Sequence, residues 1–356
     1  MTKILYSICV LLHLGHFTTG QIHLEAPQRL GPYNVDPDSI TVSGFSSGGS
    51  MATQFQFSYS TLIKGAGIFS AYGPYLSGYD GFEAFQTSIK YPNLVNMSNL
   101  LQRIVDFSSS HKIDDIMNLN GSRVYIIGGS KDIVVNQGSL RLASTVYSIF
   151  GANVLTQFSI PAGHGIPVTN GRGGPCTSQI NLSAGYLNEC GFNSVFQMFS
   201  WLFDNTVPLS VGTQPTGKLI PFTQSDFING SSYELTRAFR GNGYIYVPSA
   251  CQIESRVSCR LHVVFRECIS GPEFPDHSDV EQKLIAQYAE VADLNNIVVL
   301  YPAMEYVMLS TTTNTGQREL ACWDNYGYTG QSTFATKQGA QASIVYRMIQ
   351  RVLGKF

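Results

Sequence analysis

The sequence predicts an α/β fold with a mostly parallel sheet flanked by helices, on three observations. Apolar runs of strand composition recur at 40–45 (ITVSGF), 66–71 (AGIFSA), 122–129 (SRVYIIGG) and 153–160 (NVLTQFSI), with helix-length segments between them. Such β/α alternation is built as parallel strands joined by crossover helices. Strand-like runs return at 243–248 (GYIYVP), 261–266 (LHVVFR) and 297–302 (NIVVLYP), with helical stretches at 279–294 and 336–352. Finally, the second half offers about three strands and two helices, too few to enclose a core of its own, so both halves are expected to contribute to one sheet.

The elements follow in order. Residues 1–20 (MTKILYSICVLLHLGHFTTG) place Lys3 before a short apolar run that ends in small residues, the pattern of a secretory signal peptide cleaved after Gly20. The rest, 21–356, reads as one catalytic domain. Its 206–235 segment, rich in Thr, Ser, Pro and Gly, reads as a surface connection between a first part (21–205) and a completing part (236–356).

Of 356 residues, 44% are apolar and only 13% are charged, with a formal net charge of −2. That supports a sizeable core and gives no field to steer polyanions, so no nucleic-acid partner is expected, nor a membrane once the signal is removed. Seven cysteines become six in the mature chain: Cys176, Cys190, Cys251, Cys259, Cys268 and Cys322. An even count in an exported chain favours disulfides. Six cysteines allow fifteen pairings. Short loops close most cheaply, which favours Cys176 with Cys190 and Cys251 with Cys259, leaving Cys268 for Cys322. The spacings lack the pairs a metal site needs, and neither metal nor cofactor is expected. Asn96, Asn120, Asn181 and Asn229 each open an Asn-x-Ser glycosylation sequon.

The chemistry lies where strands end. Gly44-Phe45-Ser46-Ser47-Gly48 fits G-x-S-x-G, with a strand-like run before it and a helix-like run after it, as a nucleophile elbow requires. A serine hydroxyl needs a base, and the base needs an orienting acid. The run at 122–129 leads into GSKDIVV and offers Asp132; that at 153–160 leads into PAGHGIP and offers His164. The order Ser46, Asp132, His164 is the α/β-hydrolase order. Only about 25 residues of the mature chain precede Ser46, so the loop giving the second oxyanion amide has to come from the second half. LHVVFRECISG supplies a strand and a loop, so that Cys268 or its neighbour can place an N–H opposite that of Ser47, and the sequence reads as a circularly permuted hydrolase.

With those residues in place, the chain resembles the secreted, single-domain, circularly permuted poly(3-hydroxybutyrate) depolymerases. The resemblance rests on YNVDPDSITVSGFSSGGSMA, GAGIFSAYGPY, GGSKDIVV, the GHGIP loop with its later PC…NECGF, GYIYVPSAC, CRLHVVF, NNIVVLYP and CWDNYGYTG…ATKQGAQ. It implies an extracellular serine esterase with Ser46 as nucleophile, His164 as general base and then acid, and Asp132 fixing the imidazole. It also implies oxyanion amides from Ser47 and Cys268, the three disulfide pairs above, and an open crevice in which Trp323, Tyr326 and nearby aromatics hold a polyester chain. Three departures stand out. Arg266-Glu267 occupies the place of a usual His-Gly, Leu76 that of a frequent cysteine, and Asn325 that of a further Trp. A carboxylate at Glu267, where glycine would give backbone freedom, would oppose a developing oxyanion unless Arg266 neutralises it. The readings thus open are a poly- or oligo-(3-hydroxyalkanoate) hydrolase, a secreted carboxylesterase on short acyl or phenolic esters, and a hydrolase-fold glycoprotein with weakened catalysis that serves as a binding component.

Overall fold

The computed structural model describes residues 26–73, 88–169, 171–204, 206, 214–228, 239, 241–252, 256–270, 278–304, 307–309 and 318–356. The signal-peptide segment, Asn229 and part of the 206–235 connection lie outside them.

The strands in chain order are β1 (Thr41–Phe45), β2 (Gly65–Phe69), β3 (Arg123–Ile127), β4 (Asn153–Gln157), β5 (Ile166–Val168), β6 (Gly174–Pro175), β7 (Leu187–Glu189), β8 (Lys218–Thr223), β9 (Asn242–Val247), β10 (Arg260–Phe265), β11 (Ile269–Ser270), β12 (Ile297–Tyr301), β13 (Val307–Leu309) and β14 (Arg318–Ala321). The longer helices are α1 (Ser47–Ser58), α2 (Met97–Ser109), α3 (Gln137–Ile149), α4 (Ser194–Leu202), α5 (Ser278–Ala292) and α6 (Ala340–Val352). Eight strands form the main sheet in the order β4-β3-β2-β1-β10-β12-β9-β8. It is parallel from β4 through β12, and β9 pairs antiparallel with both β12 and β8.

That order explains how the two halves meet. β1, first in the chain, lies at the centre, with β2 on one side and β10 on the other, in the register Thr41 to His262 and Gly44 to Phe265. All five residues of β1 are buried, as a central parallel strand covered on both faces requires. Hydrophobic clusters cover the faces, one including α1 and α6 residues such as Phe55, Val345 and Ile349, the other α4 and α5 residues such as Met198, Phe199 and Tyr288. Joining α6 to β1 and cutting between β4 and β8 would turn this order into a conventional hydrolase sheet, with β1 as its fifth strand, so the permutation is present in the topology.

One expected boundary is corrected. The 206–235 segment is not connection throughout, since β8 lies inside it as the sheet's outer strand, with Leu219 and Phe222 buried. Pro221 masked the strand in the sequence; at a sheet edge proline is tolerated because fewer ladder donors are needed there.

Candidate active site

Ser46 stands between β1 and α1 at φ 55° and ψ −121°, a conformation costly for a residue with a side chain. The Ser46 amide donates to the Phe69 carbonyl at the end of β2, which pins the turn. Gly48 is needed for close approach: a Cβ there would lie 2.1 Å from the Phe265 carbonyl oxygen and 2.2 Å from that of Arg266. The chain leaving β10 therefore crosses directly against the first turn of α1.

His164 Nε2 lies 3.2 Å from Ser46 Oγ, and Nδ1 lies 2.9 Å from Asp132 Oδ2. The other oxygen of Asp132, Oδ1, accepts from the amides of Val134 and Val135 at 2.8 and 2.9 Å, which fixes the carboxylate. The acid and the imidazole are almost fully covered, with side-chain exposures of 1% and 4%. The Phe45 ring sits 4.8 Å from the imidazole and limits its tilt. Three residues from the ends of three sequence segments thus form one hydrogen-bonded line in the order that general-base activation of a serine needs.

The remaining predicted residues fall as follows. Ser47 opens α1, and its carbonyl accepts from Asn325 Nδ2 at 3.4 Å. Cys268 follows the β10 turn and is bonded to Cys322. Cys176–Cys190 and Cys251–Cys259 are formed as well. Asn96 and Asn120 are exposed, whereas the side-chain amide of Asn181 is packed on Gly174. Among the described residues no group of three or more His, Cys, Asp or Glu side chains could hold a metal, and no helix is long and apolar enough to cross a membrane.

Two expectations are corrected. Trp323 is not part of an open platform. It is 1% exposed and packs edge-on against Phe239 and Phe265, in the core beneath the loop. Tyr326 is half-buried, in a loop wound around Asp324, whose carboxylate accepts from the amides of Tyr326, Gly327, Tyr328 and Thr329. Burial raises the Asp324 pKa from its ordinary value, against the hydrogen bonds from Thr329 and its neighbours. At Glu267 the structure matches the alternative in which Arg266 neutralises the carboxylate. Glu267 is not among the residues with positive φ, so a side chain is tolerated, and its carboxylate is paired with Arg266 at 3.0 Å, both residues being buried.

Sequence reasoning missed Gln179 and Tyr186, and singled out Asn325 only as a departure in the aromatic loop. Gln179 contacts the acid and base loops, Tyr186 the carbonyl of Cys268, and Asn325 links the Ser47 carbonyl to Gln54. Each acts across a long sequence distance through a single polar group, and a lone sequence carries no periodic or spacing signal for that.

Elbow serine, strand-end acid and loop histidine on a mostly parallel eight-stranded sheet define the α/β-hydrolase fold. No family model matches the chain. It is 33% identical over 339 residues to a poly(3-hydroxybutyrate) depolymerase of Delftia acidovorans, an alignment covering 94% of this chain and 63% of that protein. It is 27% identical over 337 residues to a polyhydroxybutyrate depolymerase of Talaromyces funiculosus, covering 92% and 94%. Two solved structures share the fold. A PHB depolymerase (S39A) complexed with an R3HB trimer has a TM-score of 0.76 at 23% identity, and the PHB depolymerase of Penicillium funiculosum has 0.75 at 24%; each match covers 92% of this chain and 100% of that one. The chain is thus similar over most of its length to these two depolymerases and shares its fold with the two solved structures. It spans less than two thirds of the length of the Delftia relative.

Proposed function

We propose that this protein is an extracellular serine esterase that hydrolyses poly- or oligo-(3-hydroxyalkanoate) ester bonds through an acyl-enzyme. The observation that carries the reading is the continuous hydrogen-bonded line from Asp132 through His164 to Ser46. In this mechanism the His164 imidazole removes the Ser46 proton as Oγ attacks the ester carbonyl, and Asp132 stabilises the imidazolium that forms. The amides of Ser47 and Cys268 are the proposed oxyanion donors. The imidazolium then protonates the leaving alcohol, and a water molecule activated by the same imidazole releases the acid and restores Ser46. The polyester substrate is supported by the homologues' names and by the exposed apolar side chains of Ile133, next to Asp132, and Ile180, next to Gln179. Export is supported by three disulfides and the signal-like N-terminus. The single-domain reading of 21–356 and glycosylation at the exposed sequons form part of the same proposal.

Burial of Trp323 favours a second reading, a carboxylesterase for short esters, because it removes a ring that would grip a polymer. Purified protein assayed on amorphous poly(3-hydroxybutyrate) and on p-nitrophenyl acetate and butyrate separates the two. Clearing of the polymer suspension, abolished in Ser46→Ala, is expected. Turnover of the small esters alone would establish the second reading, and full activity in Ser46→Ala would dismiss both.

A further inference from the structure

The loop between Cys176 and Cys190 touches the acid loop, the base and the turn after β10. Its side-chain contacts are polar and specific. The Gln179 Oε1 accepts from the amide of His164 at 3.3 Å and from that of Ile133 at 3.0 Å, while its Nε2 donates to the carbonyls of Lys131 at 2.8 Å and Thr177 at 3.1 Å. One side-chain amide, using both donors and its acceptor, therefore fastens the acid loop on either side of Asp132 to the backbone of the base. Gly163 allows this approach, since a Cβ there would meet the Ser178 carbonyl at 2.3 Å.

Seven residues further on, Tyr186 lies in the left-handed region at φ 58°, unusual for an aromatic residue. Such strain persists only when surrounding contacts fix it. Here the Tyr186 amide donates to Asn181, its carbonyl accepts from Ile166, and its ring packs 5.6 Å from Phe45. The outcome is that its buried hydroxyl donates to the Cys268 carbonyl at 3.2 Å. That carbonyl belongs to the residue whose own amide is the proposed oxyanion donor. A hydrogen bond on one side of a residue restricts rotation of the adjoining peptide planes, and an oxyanion donor works only when its direction is set beforehand.

We propose that Gln179 and Tyr186 are positioning residues, through which one disulfide-closed loop holds the acid–base pair and the oxyanion loop in register with Ser46. Gln179 acts through Asp132 and His164; Tyr186 acts through Cys268. The proposal rests on the serine-esterase reading above, and its test separates the two.

The test is a set of double-mutant cycles on p-nitrophenyl butyrate, with thermal unfolding measured for each variant. Gln179→Met, close in shape but without the hydrogen bonds, is expected to lower kcat about tenfold or more with KM within about threefold, and to add little once Asp132→Asn is present, because both act through the same imidazole. Tyr186→Phe deletes only a hydroxyl and is expected to lower kcat by about threefold to tenfold by the same amount in both backgrounds. Gln179→Glu, which keeps the acceptor oxygens, takes the place of Gln179→Met should the latter unfold, and the same non-additivity is expected of it. Full additivity of the Gln179 variant with Asp132→Asn would overturn its role, as would unchanged kcat in both single variants. Undiminished activity in Asp132→Asn itself would overturn the underlying reading instead.

Discussion

Thr41 and His262 stand opposite each other in register on β1 and β10, and their side chains are joined, with Thr41 Oγ1 2.7 Å from His262 Nδ1. The other ring nitrogen, Nε2, lies 2.7 Å from Ser43 Oγ, which lies 2.8 Å from the Tyr288 hydroxyl. The imidazole is fully buried, and burial lowers its pKa from 6.5 to about 3. It is therefore a neutral strut across the central strand pair rather than a catalytic group.

Acid stability follows from that strut. Between pH 6.5 and about 3 the unfolded chain binds a proton at His262 and the native state does not, so the contribution to stability is complete above pH 6.5 and is lost on acidification. The loss amounts to about 1.4 kcal/mol per pH unit in that window. Urea unfolding of wild type and His262→Gln from pH 7 to 4 is expected to show a shallower acid dependence in the variant; parallel curves would refute the assignment.

The Arg266–Glu267 pair predicts an asymmetry. Glu267→Ala leaves a buried guanidinium without this counter-charge and is expected to cost about 3–5 kcal/mol in denaturant unfolding. Replacing both, Arg266→His with Glu267→Gly, removes the two charges together and is expected to leave kcat/KM on p-nitrophenyl butyrate within about threefold of wild type, because the carboxylate is already neutralised. A gain of tenfold or more would mean that Glu267 does oppose the oxyanion.

Asp132→Asn keeps an Oδ1 acceptor for the Val134 and Val135 amides, so the loop is expected to hold its shape. The substituted amide nitrogen would face His164 Nδ1 and favour the wrong tautomer, lowering kcat by about 10⁴ with little change in melting temperature. A comparable fall in stability would show that the carboxylate is structural.

Much of this was legible. The strands β1 to β4, β9, β10 and β12 announced themselves through apolar runs, and Ser46, Asp132 and His164 through their places just beyond strand ends. The disulfides could be paired because sequence proximity makes loop closure cheap. Trp323 was misread because a sequence gives hydrophobicity without direction, and an indole suits a core beside Phe265 as well as a crevice. β8 was missed because Pro221 interrupts its short apolar run within a stretch rich in Thr, Ser, Pro and Gly, at a sheet edge where proline is tolerated.

Gly48 offers the most economical test of the elbow. Gly48→Ala would push a methyl group into the Phe265 and Arg266 carbonyls, backbone atoms that cannot swing aside. It is expected to abolish ester hydrolysis and to destabilise the fold by at least 1–3 kcal/mol; a variant with native activity would show that the crossing at this point is looser.

The Cys268–Cys322 bond closes a 54-residue separation and joins the turn after β10 to the loop above Trp323. Cys268→Ser with Cys322→Ser is expected to cost about 2–4 kcal/mol of stability. Because the turn lies against α1, kcat is expected to fall more steeply than the folded fraction. Equal losses of activity and folded fraction would dissociate the bond from the site.

The permuted sheet also separates the order of synthesis from the order of assembly. The nucleophile, acid and base leave the ribosome well before β10, and β1 then has β2 for a neighbour but an open edge where β10 will pair. A nascent chain at that stage carries the proposed nucleophile, acid and base without the turn proposed to bind the oxyanion, so under the esterase reading hydrolytic competence waits for the second half. The exposed edge of Thr41–Phe45, wholly buried in the finished sheet, is meanwhile a ready template for another strand, so late compaction, as the proposed export in an unfolded state would impose, has a direct advantage for this topology.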